Sequence, residues 1–144
     1  MQSPFPHDYT IELAPGTDLR TVLRVPPVGE VEGGPPPEFG GADSWWTPEH
    51  LIGSALGLCL KLTYLAIAKR ARLDVRQYSS RVTTTVDRTE VGFRMTRFKV
   101  ELDVEVAAAD VEKARTVADS AKKHCIVSNS IDTPIVLKVQ VSGV

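Results

Sequence analysis

Residues 51–68 constrain the fold more than any other stretch of the chain. They carry one charge, Lys61, and apolar side chains at every angle of a helical turn. The preceding Thr-Pro-Glu, residues 47–49, supplies a hydroxyl for the N-cap, a proline for the first helical position and a carboxylate for the first turn. The sequence therefore predicts a helix that begins there and runs to about Arg70. Because it is apolar on all sides, this helix needs cover on all sides.

Strand patterns flank this helix in the sequence. A hairpin is predicted over residues 9–25, a β-branched strand over 82–86, a strand of strict alternation over 97–106 and a closing strand over 135–141. Between the last two, Asp110 is predicted to cap a second helix with the apolar stripe Val111, Ala114, Val117, Ala118 and Ala121. This order predicts an α+β fold with antiparallel pairing in a single domain, residues 1–144. One chain covers one side of the central helix, so we expect a second copy to cover the other in a homodimer.

Residues 26–46 are rich in proline and glycine and are predicted to be one long loop within this domain. Loops of such length inside a domain are either disordered or functional lids. Three large aromatic side chains near its end, Phe39, Trp45 and Trp46, indicate that the loop docks onto the protein. Ordinary packing and a lid over a binding site both explain that docking.

Composition and charge exclude several classes of partner. The formal net charge is −1, which gives no electrostatic reason to expect nucleic acid or a membrane surface as partner. Residues 51–68 are at the short limit for a membrane span and are diluted by glycine, serine, lysine and threonine. Residues 1–9 lack the basic and apolar regions of a secretory signal, so we expect a cytoplasmic protein.

The chain has two cysteines, and both lie where a reactive thiol can be built. Cys59 lies in the central helix and Cys125 directly follows the second helix, 66 positions later. That spacing excludes a CxxC motif, so only the fold can pair them for redox chemistry. A small buried side chain without chemistry is the alternative for each. With His50 and His124 the cysteines offer zinc-ligand types but no ligand spacing, so no metal is predicted.

The sequence resembles the OsmC/Ohr family of thiol-dependent hydroperoxide reductases. The similarity lies in Trp46-Thr47-Pro48-Glu49-His50-Leu51 with the Ala/Leu/Gly run that ends at Cys59, in Cys125-Ile126-Val127-Ser128-Asn129-Ser130-Ile131, and in Phe39-Gly40-Gly41. Together with the order of elements it spans the chain from about residue 10. The resemblance implies an intertwined homodimer in which antiparallel sheets wrap around two central helices, with two active sites at the subunit boundary.

The resemblance also implies a reaction and its groups. Cys59 would attack an organic hydroperoxide and become a sulfenic acid. Cys125 would resolve it as a disulfide, which an external dithiol, often lipoyl-linked, would reduce. No organic cofactor or metal is implied. In the family an arginine of the N-terminal strands, paired with the glutamate that Glu49 matches, supports the thiolate. Arg20 and Arg24 lie in that region, and no motif chooses between them.

One feature of the site follows from the residues themselves and another from a departure from the family. Glu49 and Cys59 are ten positions apart, which is about 15 Å along one helix, so a shared site takes its Glu49 from the partner chain. Ile126 stands where the family commonly has a proline that would stiffen the turn. We therefore expect slower disulfide closure here.

Two other functions remain open at this level. A non-catalytic member of the same fold would bind a small apolar or thiol-reactive ligand in a cleft lined by Phe39, Trp45 and Trp46. An interaction protein would use the acidic side chains of residues 30–43, although a solvated face explains those charges as well.

Overall fold

The computed structural model describes residues 4–144, which form two compact units that divide between Pro48 and Glu49. The strands are β1 (Glu12–Leu13), β2 (Thr21–Val25), β3 (Gly29–Gly33), β4 (Gln77–Thr89), β5 (Gly92–Val106) and β6 (Ile135–Gly143). The helices are α1 (Pro48–Arg70), α2 (Val111–His124) and α3 (Ile126–Ser130), with short 3-10 turns at Pro37–Phe39 and Ala108–Asp110.

The N-terminal unit contains a three-stranded antiparallel sheet in the order β1-β2-β3. Its first two strands confirm the predicted hairpin. The prediction of an uninterrupted loop over residues 26–46 is wrong, because β3 and the turn Pro37–Phe39 lie inside it. The sequence signal for β3 is weak since Gly29 and Gly33 bound a strand of only five residues, whose exposed face carries glutamates.

The second sheet has the order β4-β5-β6. β4 and β5 form a long antiparallel hairpin, in which Gly92 takes a left-handed φ of 107° at the turn. β6 runs parallel to β5, with Phe98 opposite Ile135, so the prediction of antiparallel pairing is wrong for this strand. The physical reason is the connection: α2 and α3 carry the chain back to the start of β5, as parallel neighbours require.

Two glycines let α1 lie close against β4. A Cβ at Gly53 would stand 2.9 Å from the Thr84 hydroxyl, and one at Gly57 would stand 3.0 Å from a Val82 methyl group. These small residues therefore admit a strand close to the surface of α1. The helix prediction itself, from residue 48 to Arg70, is confirmed.

α1 is buried along one side only within this chain. Leu56, Leu60 and Tyr64 are at most 3 % exposed, whereas Leu58 and Leu62 are 60 % and 58 % exposed. The helix contains an 18-residue window of mean hydropathy 1.8, which would also suit a membrane span, although core helices of globular proteins share this property. One chain therefore covers one side of α1, as expected.

α2 packs in the hydrophobic core beside the second sheet. Its predicted stripe is confirmed: Ala114, Val117, Ala118 and Ala121 are buried against β5, and Val111 packs at the edge of the same cluster. Lys122, Lys123 and His124 occupy its last turn, where the helix dipole favours positive charge. The helix ends at His124, and the following Cys125 is buried in the core of this unit.

Candidate active site

The fold brings the two cysteines together. Cys125 is fully buried in a core cluster with Leu56, Leu60, Phe98 and Val100, and Cys59 packs against that cluster from α1. The two sulfurs interact, so that the thiol of Cys125 lowers the pKa of Cys59. Both are free thiols, and Cys59 is partly exposed. Residues 66 positions apart in sequence thus form one dithiol pair.

Cys125 is held at the junction of two helices. It follows α2 in an extended conformation, φ −69° and ψ 120°, and is at the same time the N-cap of α3. Its sulfur accepts a hydrogen bond from the Ser128 N–H at 3.5 Å, and its carbonyl accepts one from the Asn129 N–H at 3.0 Å. The sulfur therefore replaces the oxygen of an ordinary capping side chain.

The pKa of Cys59 lies below its ordinary value despite partial burial. Burial alone raises that pKa, because it disfavours the thiolate. The N–H of Val127, the thiol of Cys125 and the N–H of Ile126 donate to the sulfur and more than offset this penalty. Since the thiolate is the nucleophile, these donors make Cys59 the more reactive of the two thiols.

The pKa of Cys125 moves in the opposite direction. Burial raises the pKa of this thiol, and the adjacent Cys59 sulfur raises it further, while the Ser128 side chain and N–H oppose the change. Cys125 therefore keeps its proton under conditions in which Cys59 ionises. The pair is asymmetric, with one thiolate and one thiol in contact.

Glu49 lies at the N-terminal end of α1, whereas the dithiol lies at the middle of the helix. It occupies the first turn of the helix, as predicted, and Cys59 follows it ten positions later in the same helix. Its Oε2 is buried without a hydrogen-bond partner among residues 4–144. A buried carboxylate oxygen in that state calls for a donor or a cation.

Both candidate arginines are engaged in ion pairs within the first sheet. Arg20 pairs with Glu32, and Arg24 pairs with Glu30 at 3.0 Å, across neighbouring strands. The Glu32 carboxylate raises the pKa of Arg20, and the arginine in turn lowers the pKa of Glu32. All four side chains are at least half exposed, so these pairs contribute little free energy.

The three predicted pocket aromatics all lie in the N-terminal unit. Phe39 ends a 3-10 turn and is 49 % exposed, and Trp46 is 46 % exposed beside its backbone bridge to Gly33. Trp45 packs on Gly34, where a Cβ would stand 2.5 Å from its ring. Trp45 thus anchors the segment, while Phe39 and Trp46 leave apolar surface open.

The histidines take no part in the dithiol pair. His124 is exposed, and its Nδ1 lies 2.8 Å from the Ser120 carbonyl. His50 is also exposed, in the first turn of α1. Over residues 4–144 no group of three or more His, Cys, Asp or Glu side chains is arranged to hold a metal ion.

The residues that sequence reasoning missed act through their backbone. No side-chain pattern identifies the N–H groups of Ile126 and Val127 as donors to Cys59, because any residue except proline carries them. The available signal was indirect: a proline is missing after Cys125. The first N–H groups of a helix have no partner within the helix, so a helix that starts at Ile126 offers them to the side chain packed beside it.

A family model described as "OsmC-like protein" matches residues 41–140 of this sequence, which include both cysteines and Glu49. The chain belongs to the OsmC-like family. Proteins of the OsmC/Ohr family are generally dimeric. The sequence has no significant match among curated proteins.

Solved structures of OsmC-like proteins share this fold at low sequence identity. An OsmC-like protein of unknown function from Vibrio cholerae superposes with a TM-score of 0.84 at 14 % identity, covering 94 % of this chain and 100 % of its own. An organic hydroperoxide resistance protein from Elizabethkingia anophelis gives 0.73 at 23 %, with 97 % and 100 % covered. One from Legionella pneumophila gives 0.72 at 19 %, with 95 % and 99 % covered.

Proposed function

We propose that this OsmC-like protein is a thiol-dependent peroxidase that reduces organic hydroperoxides to alcohols. The Cys59 thiolate attacks one peroxide oxygen, the O–O bond breaks, and the departing alkoxide takes up a proton. Sulfur is oxidised to a sulfenic acid and the hydroperoxide is reduced to an alcohol. The names of the Elizabethkingia and Legionella proteins support this substrate class.

One observation carries the proposal: the pKa of Cys59 is lowered beside a second thiol that keeps its proton. A structural cysteine in an apolar core has a raised pKa and is not expected to lie beside a second thiol. The contact between the sulfurs also suits the second step. There the Cys125 sulfur attacks the sulfenic sulfur, water leaves, and a disulfide joins the two residues.

Regeneration then needs an external dithiol, in keeping with the lipoyl-linked reductant that the resemblance implies. Its two thiols are oxidised to a disulfide while the bond between Cys59 and Cys125 is reduced to two thiols. Of the two sulfurs, only Cys59 is partly exposed, so the reductant reaches the disulfide from that side. Cys125 then leaves and recovers a proton.

We further propose that the protein works as a homodimer, in keeping with the generally dimeric OsmC/Ohr family. In this proposal the exposed Leu58 and Leu62 pack against the same face of a second α1. Glu49 of one chain then serves the Cys59 of the other, since about 15 Å of helix separates the two within a chain. The buried Glu49 oxygen calls for a donor or a cation in that assembly.

The decisive experiment compares turnover of cumene hydroperoxide and hydrogen peroxide, with dithiothreitol and with a lipoylated protein as reductant. We expect turnover of cumene hydroperoxide, weaker turnover of hydrogen peroxide, and loss of both in Cys59→Ser. Full activity of Cys59→Ser would remove Cys59 as the reacting sulfur. If the wild-type protein turned over neither peroxide, the proposed peroxidase activity would be refuted.

In that case the second candidate stands, a non-catalytic protein that binds a small apolar or thiol-reactive ligand. The half-exposed rings of Phe39 and Trp46 favour it, since they offer apolar surface to such a ligand. Quenching of tryptophan fluorescence by a hydrophobic thiol reagent, retained in Cys59→Ser, would identify binding without turnover.

A further inference from the structure

The short helix α3 takes its N-terminal cap from the dithiol. The Cys125 sulfur accepts a hydrogen bond from the Ser128 N–H at 3.5 Å, and the Cys125 carbonyl accepts one from the Asn129 N–H at 3.0 Å. The first N–H groups of a helix have no partner within it, so the sulfur satisfies a donor that no intrahelical bond can. α3 has five residues, and a helix so short is not stable by itself. Loss of this cap should therefore affect the whole of α3.

α3 also packs beside Cys59. Val127 within the helix and Ile131 directly after it pack against the same apolar cluster as Cys59, and all three side chains are partly buried. The cluster holds the fully buried Cys125 at its centre. A loosened α3 would therefore expose more of the Cys59 sulfur to solvent, while Cys125 stays fixed in the core.

Oxidation changes both sulfurs that face the start of α3. A thiolate at Cys59 is a charged acceptor, whereas a disulfide sulfur is neutral and accepts only weakly. A disulfide also ties the Cys125 sulfur to Cys59 with a preferred Cβ–S–S–Cβ dihedral of about 90°, so the sulfur can no longer turn freely towards the Ser128 N–H. The new bond adds little order to α3, because Cys125 is already fully buried before it forms.

We propose that α3, residues Ile126–Ser130, is a redox-sensitive lid beside the dithiol, which is capped and closed in the reduced protein and loosens when Cys59 and Cys125 form a disulfide. Loosening admits the external dithiol to the Cys59 sulfur. Reduction of the disulfide restores the cap, and the lid closes. This role in turnover rests on the proposed peroxidase, whereas the redox dependence of α3 does not.

Hydrogen exchange of α3 in the two redox states tests the lid without any peroxide. The wild-type protein is oxidised with diamide, which takes up the two electrons and two protons that the thiols lose as the sulfur–sulfur bond forms. Intact mass under denaturing conditions confirms an intramolecular disulfide. We expect the peptide over residues 125–131 to exchange about threefold to tenfold faster than in the protein reduced with dithiothreitol, as expected for the loss of a helix cap. A peptide from β5 is the control and should exchange equally in both states.

Two variants of the reduced protein isolate the cap from the rest of the site. Cys125→Ser keeps an acceptor at the N-cap, since a hydroxyl oxygen is a preferred capping group, whereas Cys125→Ala has none. α3 should exchange about threefold to tenfold faster in Cys125→Ala than in Cys125→Ser. Equal exchange in the two variants would overturn the capping role of residue 125.

Unchanged or slower exchange of α3 in the wild-type protein, once the disulfide is confirmed, would overturn the lid and leave the peroxidase standing. Slower exchange is what a cross-link alone would produce. Faster exchange in a protein that consumes no hydroperoxide would leave the lid standing and refute the peroxidase. A dithiol that diamide leaves reduced would overturn the lid together with the resolving step.

Discussion

The backbone N–H of Ile126 lowers the pKa of Cys59, and a proline at position 126 would have no hydrogen to offer the sulfur. The sequence comparison with the family presents Ile126 as a loss, because a proline stiffens the turn after the resolving cysteine. In the structure the same residue adds a donor to the thiolate. Disulfide closure and thiolate stabilisation therefore place opposite demands on this position.

The variant Ile126→Pro should raise the pKa of Cys59 and leave the fold intact. Cys125 has the extended backbone that a following proline needs, and position 126 is the first of α3, where proline fits. The Ile126 side chain is 76 % exposed and so is not part of the core. We expect Cys59 alkylation at neutral pH to fall about twofold to threefold, which corresponds to a pKa rise of half a unit to one unit when the greater nucleophilicity of the more basic thiolate is included.

Ile126→Val is the matched control, since it changes the side chain and keeps the N–H. Its alkylation profile should superpose on that of the wild-type protein. If Ile126→Pro and Ile126→Val gave the same profile, the N–H of residue 126 would have no part in stabilising the thiolate.

The two thiols should differ sharply in reactivity as the pH is raised. Cys59 has a lowered pKa and is partly exposed. Cys125 is fully buried, and burial raises its pKa. Because thiolates are alkylated and thiols are not, Cys59 should react first as the pH approaches neutrality from below. Peptide mass spectrometry after brief exposure to iodoacetamide measures the order, and preferential alkylation of Cys125 in the folded protein would contradict it.

Cys125→Ser should separate the two chemical steps of the proposed peroxidase. The first attack on the hydroperoxide persists, because Cys59 keeps its α3 donors, but no second sulfur closes the disulfide. Cys59 should then accumulate as sulfenic acid and proceed to sulfinic acid with excess peroxide. Intact-mass analysis after one equivalent of cumene hydroperoxide measures these species, with wild-type disulfide as the control. An unmodified Cys59 thiol in the variant would refute the order of events.

Charge on the open face of α1 should dissociate the proposed homodimer. Leu58 and Leu62 are one turn apart and mostly exposed within one chain, so Leu58→Asp with Leu62→Asp would bury two carboxylates against a partner helix. Sedimentation should show monomers for this double variant. Val136→Asp, at a partly exposed apolar position on β6, is the matched control and should remain dimeric. A dimeric double variant would place the interface elsewhere.

Sequence patterns predicted the elements of the second unit well and their mutual directions less well. Alternation identifies β5 and β6 as strands, but a period of two is the same for parallel and antiparallel pairs, so the direction of β6 was missed. The apolar run of α1 predicts burial without saying which face meets a strand. Only the packing of Gly53 and Gly57 on β4 settles that.

The residues of the candidate site also differ in how far the sequence predicts them. Cys59, Cys125 and Glu49 could be identified from residue type and from the resemblance. The backbone donors of α3 could not, because their chemistry is common to almost all residues. The asymmetry between the two thiols arises from burial and from the N-terminus of α3, and neither is visible before the chain folds.

The shared site of the proposed dimer can be tested by mixing two inactive proteins. Glu49→Ala lacks the carboxylate and Cys59→Ser lacks the thiolate, and each should lose at least about tenfold in turnover of cumene hydroperoxide. Because about 15 Å of helix separates the two positions in one chain, each site of the homodimer takes them from different chains. A heterodimer of the two variants then has one site that lacks both groups and one that is intact.

Unfolding the variants together and refolding them should therefore restore up to about one quarter of wild-type activity, since half of the dimers are mixed and each holds one intact site of two. Native mass spectrometry confirms that heterodimers have formed, and each variant refolded alone is the control. Mixed dimers with no more activity than these controls would refute the shared site.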